Sequence, residues 1–179
     1  KEISTSLVVL NYNDAESTIR LVSKVENYNR INHIIVVDNH SSDDSFMVLE
    51  RTFESSDKVI VVETDRNGGY AYGNNFGCNY AIRNFEAEYL TIANPDVIFE
   101  EISLENMLAF YLLNKDKRLG IVTCRMNCVT DKSLPVAWKL PCYRNCIMEC
   151  FIILKRIIGD KTRYTDWGDK GEAKQVEVV

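Results

Sequence analysis

Tyr89-Leu90-Thr91-Ile92-Ala93-Asn94-Pro95-Asp96 is a short apolar run that stops at a carboxylate. About five apolar residues closed by a proline predict a buried strand over Tyr89–Ala93. Pro95 has no N–H and biases Asn94 away from helix, so the chain must turn where the strand ends. Asp96 is therefore expected at the carboxyl edge of a sheet, where open α/β proteins place their ligands. A carboxylate there suits a divalent cation that also carries a diphosphate.

Upstream, strand and helix signals alternate. Ser6–Asn11, Ile34–Asp38 and Val59–Val62 predict strands, and Ala15–Tyr28, Ser42–Phe53 and Tyr70–Asn84 predict helices. Runs such as Ile34-Ile35-Val36-Val37 are apolar throughout, as a sheet buried on both faces requires. Leu104–Asn114 predicts a fourth helix, Gly120–Thr123 a fifth strand, and Met126–Val129 a short hairpin arm beside it. The expected fold class is α/β, with a mostly parallel central sheet and helices on both faces.

Four polar clusters follow the strands, and such a sheet sets them along one edge. They are Asn11-Tyr12-Asn13, Asp38-Asn39-His40-Ser41-Ser42-Asp43, Asp65-Arg66-Asn67-Gly68-Gly69-Tyr70 and Asn94-Pro95-Asp96. Each has a plain alternative: Asp38-Asn39 as a turn, Ser42 and Asp43 as helix caps, Gly68-Gly69 as a turn only. Asp38 directly follows Val36-Val37 and is expected to be partly buried, so it needs a donor partner. The imide N–H of a uracil or thymine ring would serve, with Tyr12 stacked on the ring. Two glycines before a helix also let backbone approach a phosphate closely. The G-x-G-x-x-G fingerprint is absent, which disfavours a nucleotidyltransferase or nicotinamide-dependent oxidoreductase with a related α/β sheet, and a P-loop is absent too. His40 has no visible partner and is not expected to be catalytic.

A chain of 179 residues suits a single domain, 1–179. Hydrophobic residues make up 46% and charged residues 26%, an ordinary globular balance. The net charge of −5 argues against nucleic acid as a partner, and an anionic substrate would need help from a metal or from backbone N–H groups. No apolar run reaches the roughly 18 residues that span a bilayer. Lys1 opens the chain with no signal-like segment before the first strand, so a cytoplasmic piece of a longer protein is expected. The six cysteines, Cys78, Cys124, Cys128, Cys142, Cys146 and Cys150, include no C-x-x-C pair. They are expected to be free thiols rather than disulfides or zinc ligands.

Beyond Lys132 the pattern weakens. Tyr143–Ile158 predicts a helix that is very apolar around Ile147–Leu154. A core-facing role, packing against a missing segment, and a place on a membrane surface are its three readings. Gln175–Val179 looks like a strand that begins as the chain stops.

Taken in order, Val8–Asn13, Val36–Ser45, Asn67–Asn75 and Asn94–Val97 resemble the motifs of the family 2 glycosyltransferases of GT-A fold, most closely the bacterial rhamnosyltransferase branch. The four motifs cover roughly residues 5–100. The resemblance implies that Asp38 binds the pyrimidine imide, with Tyr12 stacked on the base and backbone near Leu10 holding the nucleotide. Gly68, Gly69 and Asn75 would lie against nucleotide and sugar. Asp96 would be the last residue of a D-x-D-type motif holding Mg2+ or Mn2+ on the diphosphate, with Asn94 replacing the motif's first carboxylate. The implied reaction is inverting transfer of a sugar from a UDP- or dTDP-linked donor, dTDP-rhamnose among them, to a saccharide or lipid-linked acceptor in polysaccharide biosynthesis. A lipid-linked acceptor would bring the protein to the inner face of the cell membrane.

The resemblance also implies a carboxylate general base, and none of Asp160, Asp166, Asp169 or Glu172 matches its motif. The base is therefore expected beyond Val179, so that the chain holds the donor half and lacks the acceptor and base region. The alternative function is a non-catalytic nucleotide-sugar-binding or assembly module of the same fold.

Overall fold

Strands β1 (Thr5–Asn11), β2 (His33–Asp38), β3 (Val59–Glu63) and β4 (Tyr89–Ala93) form one parallel sheet in the order β3-β2-β1-β4. Helices α1 (Ala15–Val25), α2 (Ser45–Phe53), α3 (Tyr70–Phe85) and α4 (Glu101–Leu113) lie between and after them. The structure is a computed structural model that describes residues 4–117 and 119–124, nearly all within the unit Lys1–Val122. The expected arm at 126–129, the apolar helix at 143–158, the strand at 175–179 and four of the cysteines lie outside the described residues.

The two central strands, β1 and β2, are buried on both faces, as their unbroken apolar runs require. Leu7, Val9, Ile34 and Val36 point to one face, against Leu21, Val22 and Val25 of α1, Leu49 and Phe53 of α2 and Leu104 of α4. Val8, Ile35 and Val37 point to the other, against Ala81 of α3 with Phe76, Tyr80 and Phe85 beside it. Each fully buried valine or isoleucine contributes about 1.5–3 kcal/mol. The path from β3 back to β4 runs over the second face, and there the order of strands reverses.

α3 lies close to the sheet because two glycines face it. A Cβ on Gly77 would stand 2.6 Å from Val8 Cγ1 and 2.7 Å from Val37 Cγ2, and one on Gly73 would stand 2.2 Å from Leu10 Cδ1. α3 packs chiefly on β1 and β2, so β4 is less covered than its apolar sequence predicts. Leu90 and Ile92 are 36% and 49% exposed, and Ala93 is buried.

Other boundaries shift for local reasons. α1 starts on Asp14, whose carboxylate accepts the Ser17 N–H at 3.1 Å. It stops at Val25 and not Tyr28, and there the Lys58 ammonium donates to the carbonyls of Glu26 and Tyr28, both at 2.6 Å. α2 starts at Ser45 and not Ser42, because Ser42 is tied to Asn13 in the neighbouring loop. Its N–H donates to Asn13 Oδ1 at 2.9 Å, while Asp43 accepts the Ser45 N–H at 3.0 Å. Gly120–Thr123 forms no strand; Ile121 is 70% exposed, and none of the four strands pairs with it. No helix among the described residues is long and apolar enough to cross a membrane. Cys78 and Cys124 are free thiols, and burial pushes the Cys78 thiol above its usual pKa.

His33 gives the fold a pH dependence. Its ring stacks on Phe85 with centroids 3.9 Å apart, and its buried Nδ1 has no hydrogen-bond partner among the described residues. Burial, aided by the Lys58 charge, holds its pKa below the model-peptide value of 6.5. The unfolded chain then takes up a proton that the folded chain refuses, so stability falls as pH drops through about 6.5 and is regained above it. The urea midpoint of the wild type is expected to fall between pH 7.5 and pH 5.5 more than that of His33→Phe. Equal falls in the two proteins would refute this.

Candidate functional site

A cavity of about 430 Å³ opens at the carboxyl edge of the sheet, beside the crevice between β1 and β4. Leu10, Tyr12 and Asp14 line it from the end of β1, and Asn39 from the end of β2. Asn67, Gly69 and Tyr70 line it from the β3–α3 loop, and Asn94, Pro95 and Asp96 from the turn after β4. All four clusters thus meet at one place, which is the ligand position of an open α/β sheet. The volume falls in the range of small-molecule sites.

A buried polar network holds the ends of β1 and β2. Asn11 and Asp38 are register partners. Asp38 is fully buried; Oδ2 accepts from Asn11 Nδ2 and from Ser41 Oγ, both at 2.7 Å, and Oδ1 accepts the Ser41 N–H at 2.8 Å. Asn11 Oδ1 accepts from the Thr18 hydroxyl at 2.9 Å, which ties the pair to α1. Three donors satisfy a carboxylate that burial would otherwise penalise heavily. Asp38 is more buried than its sequence position suggests, and it does not line the cavity; its neighbour Asn39 does. Asn13 and His40 take positive φ values of 54° and 58° in the two loops. His40 does have a partner: its Nδ1 lies 3.4 Å from Glu63 Oε1.

The two glycines of the β3–α3 loop do different jobs. Gly69 has φ 84° and ψ 179°, a region that side chains rarely enter, and it lines the cavity at the start of α3. Its N–H donates to Asn67 Oδ1 at 3.0 Å, and Asn39 Nδ2 donates to the same oxygen at 3.0 Å. Gly68 stands outside the cavity lining, under the Tyr72 ring; a Cβ there would lie 2.3 Å from Tyr72 Cγ. Tyr72 donates its hydroxyl to Asp65, which pulls the Asp65 pKa below the usual carboxylate range. Asn75 is exposed on α3 and does not line the cavity.

Among the described residues no side chain caps the N-terminus of α3, and its first residues, Gly69 and Tyr70, line the cavity, so the partial positive charge of a 16-residue helix lies beside the site. The opposite wall is the Asn94–Val97 turn, closed by a Val97 N–H to Asn94 carbonyl bond of 3.2 Å. Asp96 is exposed at its tip. Tyr70 reaches across, donating its hydroxyl to Asn94 Oδ1 at 2.9 Å. Among the described residues, Asp14 and Asp96 are the charged ones of the lining, with no lysine or arginine beside them. Among the described residues no three His, Cys, Asp or Glu side chains are grouped to hold a metal ion. A cation here would draw on one carboxylate and take the rest of its oxygens from a diphosphate and water, as Mg2+ commonly does.

Of the residues expected from sequence, the structure brings together Leu10, Tyr12, Gly69 and Asp96, and leaves Asp38, Gly68 and Asn75 outside the lining. Sequence reasoning passed over Asp14, Asn39, Asn67 and Tyr70 as site residues. Asp14 carried a signal as the capping residue before Ala15, and Tyr70 as the first residue after the double glycine. Asn39 and Asn67 carried none beyond membership of a polar turn.

Residues 6–141 match the family model described as "Glycosyl transferase family 2". The chain is 27% identical over 131 residues to the low-salt glycan biosynthesis hexosyltransferase Agl10 of Haloferax volcanii, covering 73% of this chain and 38% of that protein. It is 30% identical over 104 residues to the glycosyltransferase GlyG of Streptococcus pneumoniae, covering 57% and 33%. The chain thus spans about a third of the length of these curated relatives. The crystal structure of S. aureus TarS 1-349 superposes with a TM-score of 0.58 at 17% identity, over 78% of this chain and 40% of that one. A Pyrobaculum calidifontis mannosyltransferase, in complex with GDP-Man and Mn2+, gives 0.53 at 20% identity, over 62% and 33%. These solved structures share the fold.

Proposed function

Because the chain belongs to glycosyl transferase family 2, we propose that its cavity binds a nucleotide-diphospho-sugar, with Asp96 toward a divalent cation on the diphosphate. The observation that carries this reading is the pairing of opposite walls. The uncapped N-terminus of α3 supplies donors for phosphate oxygens, and Asp96 faces it from the β4 turn. A diphosphate entering a lining whose charged side chains, among the described residues, are two carboxylates would be repelled. Mg2+ or Mn2+ resolves that repulsion, and Asp96 is a hard oxygen donor of the right kind.

The other residues fall into roles. Tyr12, 47% exposed at the rim, offers its ring face to the base, and Leu10 gives an apolar floor. Asp38, through Asn11 and Ser41, would hold the loops that carry these residues; it is fully buried, so a direct bond to a pyrimidine imide would require the groups over it to open. Gly68 and Asn75 would act from outside the lining, Gly68 by seating the loop under Tyr72.

The proposed reaction is sugar transfer with inversion, in which an acceptor hydroxyl attacks the anomeric carbon and the nucleoside diphosphate departs. The cation, when bound, supplies positive charge to the departing diphosphate. The α3 N–H groups add fixed donors to the same oxygens. A general base must take the acceptor proton. Asp14 is committed to the Ser17 N–H and Asp96 to the diphosphate end, so the base is proposed to lie outside the described residues. A rhamnosyl donor, a saccharide or lipid-linked acceptor in polysaccharide biosynthesis, and a cytoplasmic place at the membrane's inner face belong to the same proposal, on the motif resemblance.

Titration of the chain with UDP, dTDP and GDP and their sugars, with and without Mn2+, tests the reading. Mn2+-dependent binding of a nucleotide sugar is expected. Binding of none of them would overturn it.

A further inference from the structure

Asp96 stands on a segment that the core does not hold. Between Ala93, the buried last residue of β4, and Phe99 the chain takes up no helix or strand, Asp96 is exposed, and Ile98 is 79% exposed. Burial therefore cannot set the position of the carboxylate, and the anchors at the two ends of the segment must. At the near end the anchor is the pairing of β4 with β1. At the far end it is the stretch around the end of α1. The Tyr28 hydroxyl donates to the Phe99 carbonyl at 2.8 Å, and the two rings meet edge to face with centroids 6.0 Å apart. Lys24 pairs with Glu100 at 2.6 Å, the Arg30 N–H donates to Glu101 Oε1 at 2.8 Å, and the Arg30 guanidinium reaches Glu105 Oε1 at 3.0 Å. Glu100 occupies the N-cap position of α4 without capping it, its carboxylate being turned to Lys24.

These contacts are unequal. The ion pairs of Lys24 and Arg30 are exposed, so water and salt screen them and each contributes little. The Tyr28 bond is half-buried, between two rings packed on the core of the first face, and is the firmer hold. We infer that Tyr28 is a positioning residue for Asp96: by holding the Phe99 carbonyl it fixes the far end of the segment, and with it the place where the carboxylate meets the cation. The inference rests on the nucleotide-sugar reading above. Its physical basis is ordering. A carboxylate on a segment tied at both ends is confined before the cation arrives. One tied at a single end must be ordered on binding, and that cost weakens affinity.

Tyr28→Phe keeps the ring contact and removes the hydroxyl alone. Mn2+ affinity of the intact chain at saturating UDP, read by electron paramagnetic resonance, is expected to fall about threefold, the loss of one anchoring hydrogen bond. A double-mutant cycle with Asp96→Ala separates positioning from a general loosening of the fold. UDP affinity in the presence of Mn2+, read by calorimetry, should fall about threefold when Tyr28→Phe is made in the wild type. It should not fall further when Tyr28→Phe is made in Asp96→Ala. Wild-type Mn2+ affinity in Tyr28→Phe, or an equal further loss in the Asp96→Ala background, overturns the inference and leaves the nucleotide-sugar reading standing. A wild-type chain that binds no nucleotide with Mn2+ overturns that reading and this inference with it.

Discussion

Asp96→Ala is expected to lose Mn2+-dependent nucleotide binding, lowering affinity for UDP in the presence of Mn2+ by about tenfold or more. The size follows from the composition of the site. Among the described residues its lining holds two carboxylates and no lysine or arginine. Asp14 is engaged with the Ser17 N–H, so it is poorly placed to replace Asp96. Without the cation the diphosphate meets only the α3 N-terminus, and a helix terminus at an exposed site is worth about 0.3–1 kcal/mol. That is too little to offset the lost ion. The side chain is exposed at the tip of a turn, so the variant should fold normally, within about 0.5 kcal/mol of wild type. Calorimetric titration beside a thermal melt checks both halves. Full Mn2+-dependent affinity in a folded Asp96→Ala protein would remove Asp96 from the site.

Gly77→Ala is expected to destabilise the fold by roughly 1–2 kcal/mol net, although it improves helix propensity. Two effects compete. Alanine in a helix interior gains about 1 kcal/mol over glycine. The added methyl would enter at 2.6 Å from Val8 and 2.7 Å from Val37, both fully buried on the two central strands. Valine side chains are stiff about χ1 and these have no free space to turn into, so overpacking of about 1–3 kcal/mol wins. Gly73→Ala makes the informative comparison. Its methyl would meet the far end of Leu10, a partly buried side chain beside the cavity that has room to turn. A urea midpoint lowered clearly by Gly77→Ala and little by Gly73→Ala is the expected pattern. A Gly77→Ala protein as stable as wild type would mean that α3 does not sit so close to the sheet.

The contrast between the two glycines shows what the sequence makes legible. Apolar runs such as Ile34-Ile35-Val36-Val37 announce strands buried on both faces, and the polar clusters after them announce loops on one edge. The sheet, the sequence of elements and the place of the site follow from those two patterns. What does not follow is anything that depends on contact across the fold. Gly73 and Gly77, four residues apart, mark the face that α3 turns to the sheet, yet their spacing alone does not distinguish packing from flexibility. Asp38 reads as a half-exposed binding group, because Asn11 is its partner only once β1 and β2 are in register. Gly68 reads as a phosphate-approach glycine, because the Tyr72 ring above it arrives only when α3 is wound. Gly120–Thr123 has strand-like residues, but a strand needs a neighbour to pair with and a face to fill. The Tyr70–Asn94 bond joins residues 24 positions apart and has no signature in either stretch.

The central claim is that the cavity between the α3 N-terminus and the Asn94–Val97 turn is the nucleotide-diphosphate and cation site. Paramagnetic broadening by Mn2+ in the nitrogen-15 spectrum of the labelled chain, with UDP present, tests it most directly. Broadening is expected to be strongest at the amides of Asn94, Asp96, Gly69 and Tyr70 and to weaken when UDP is removed. Broadening centred on another part of the chain, or unchanged by UDP, would contradict it.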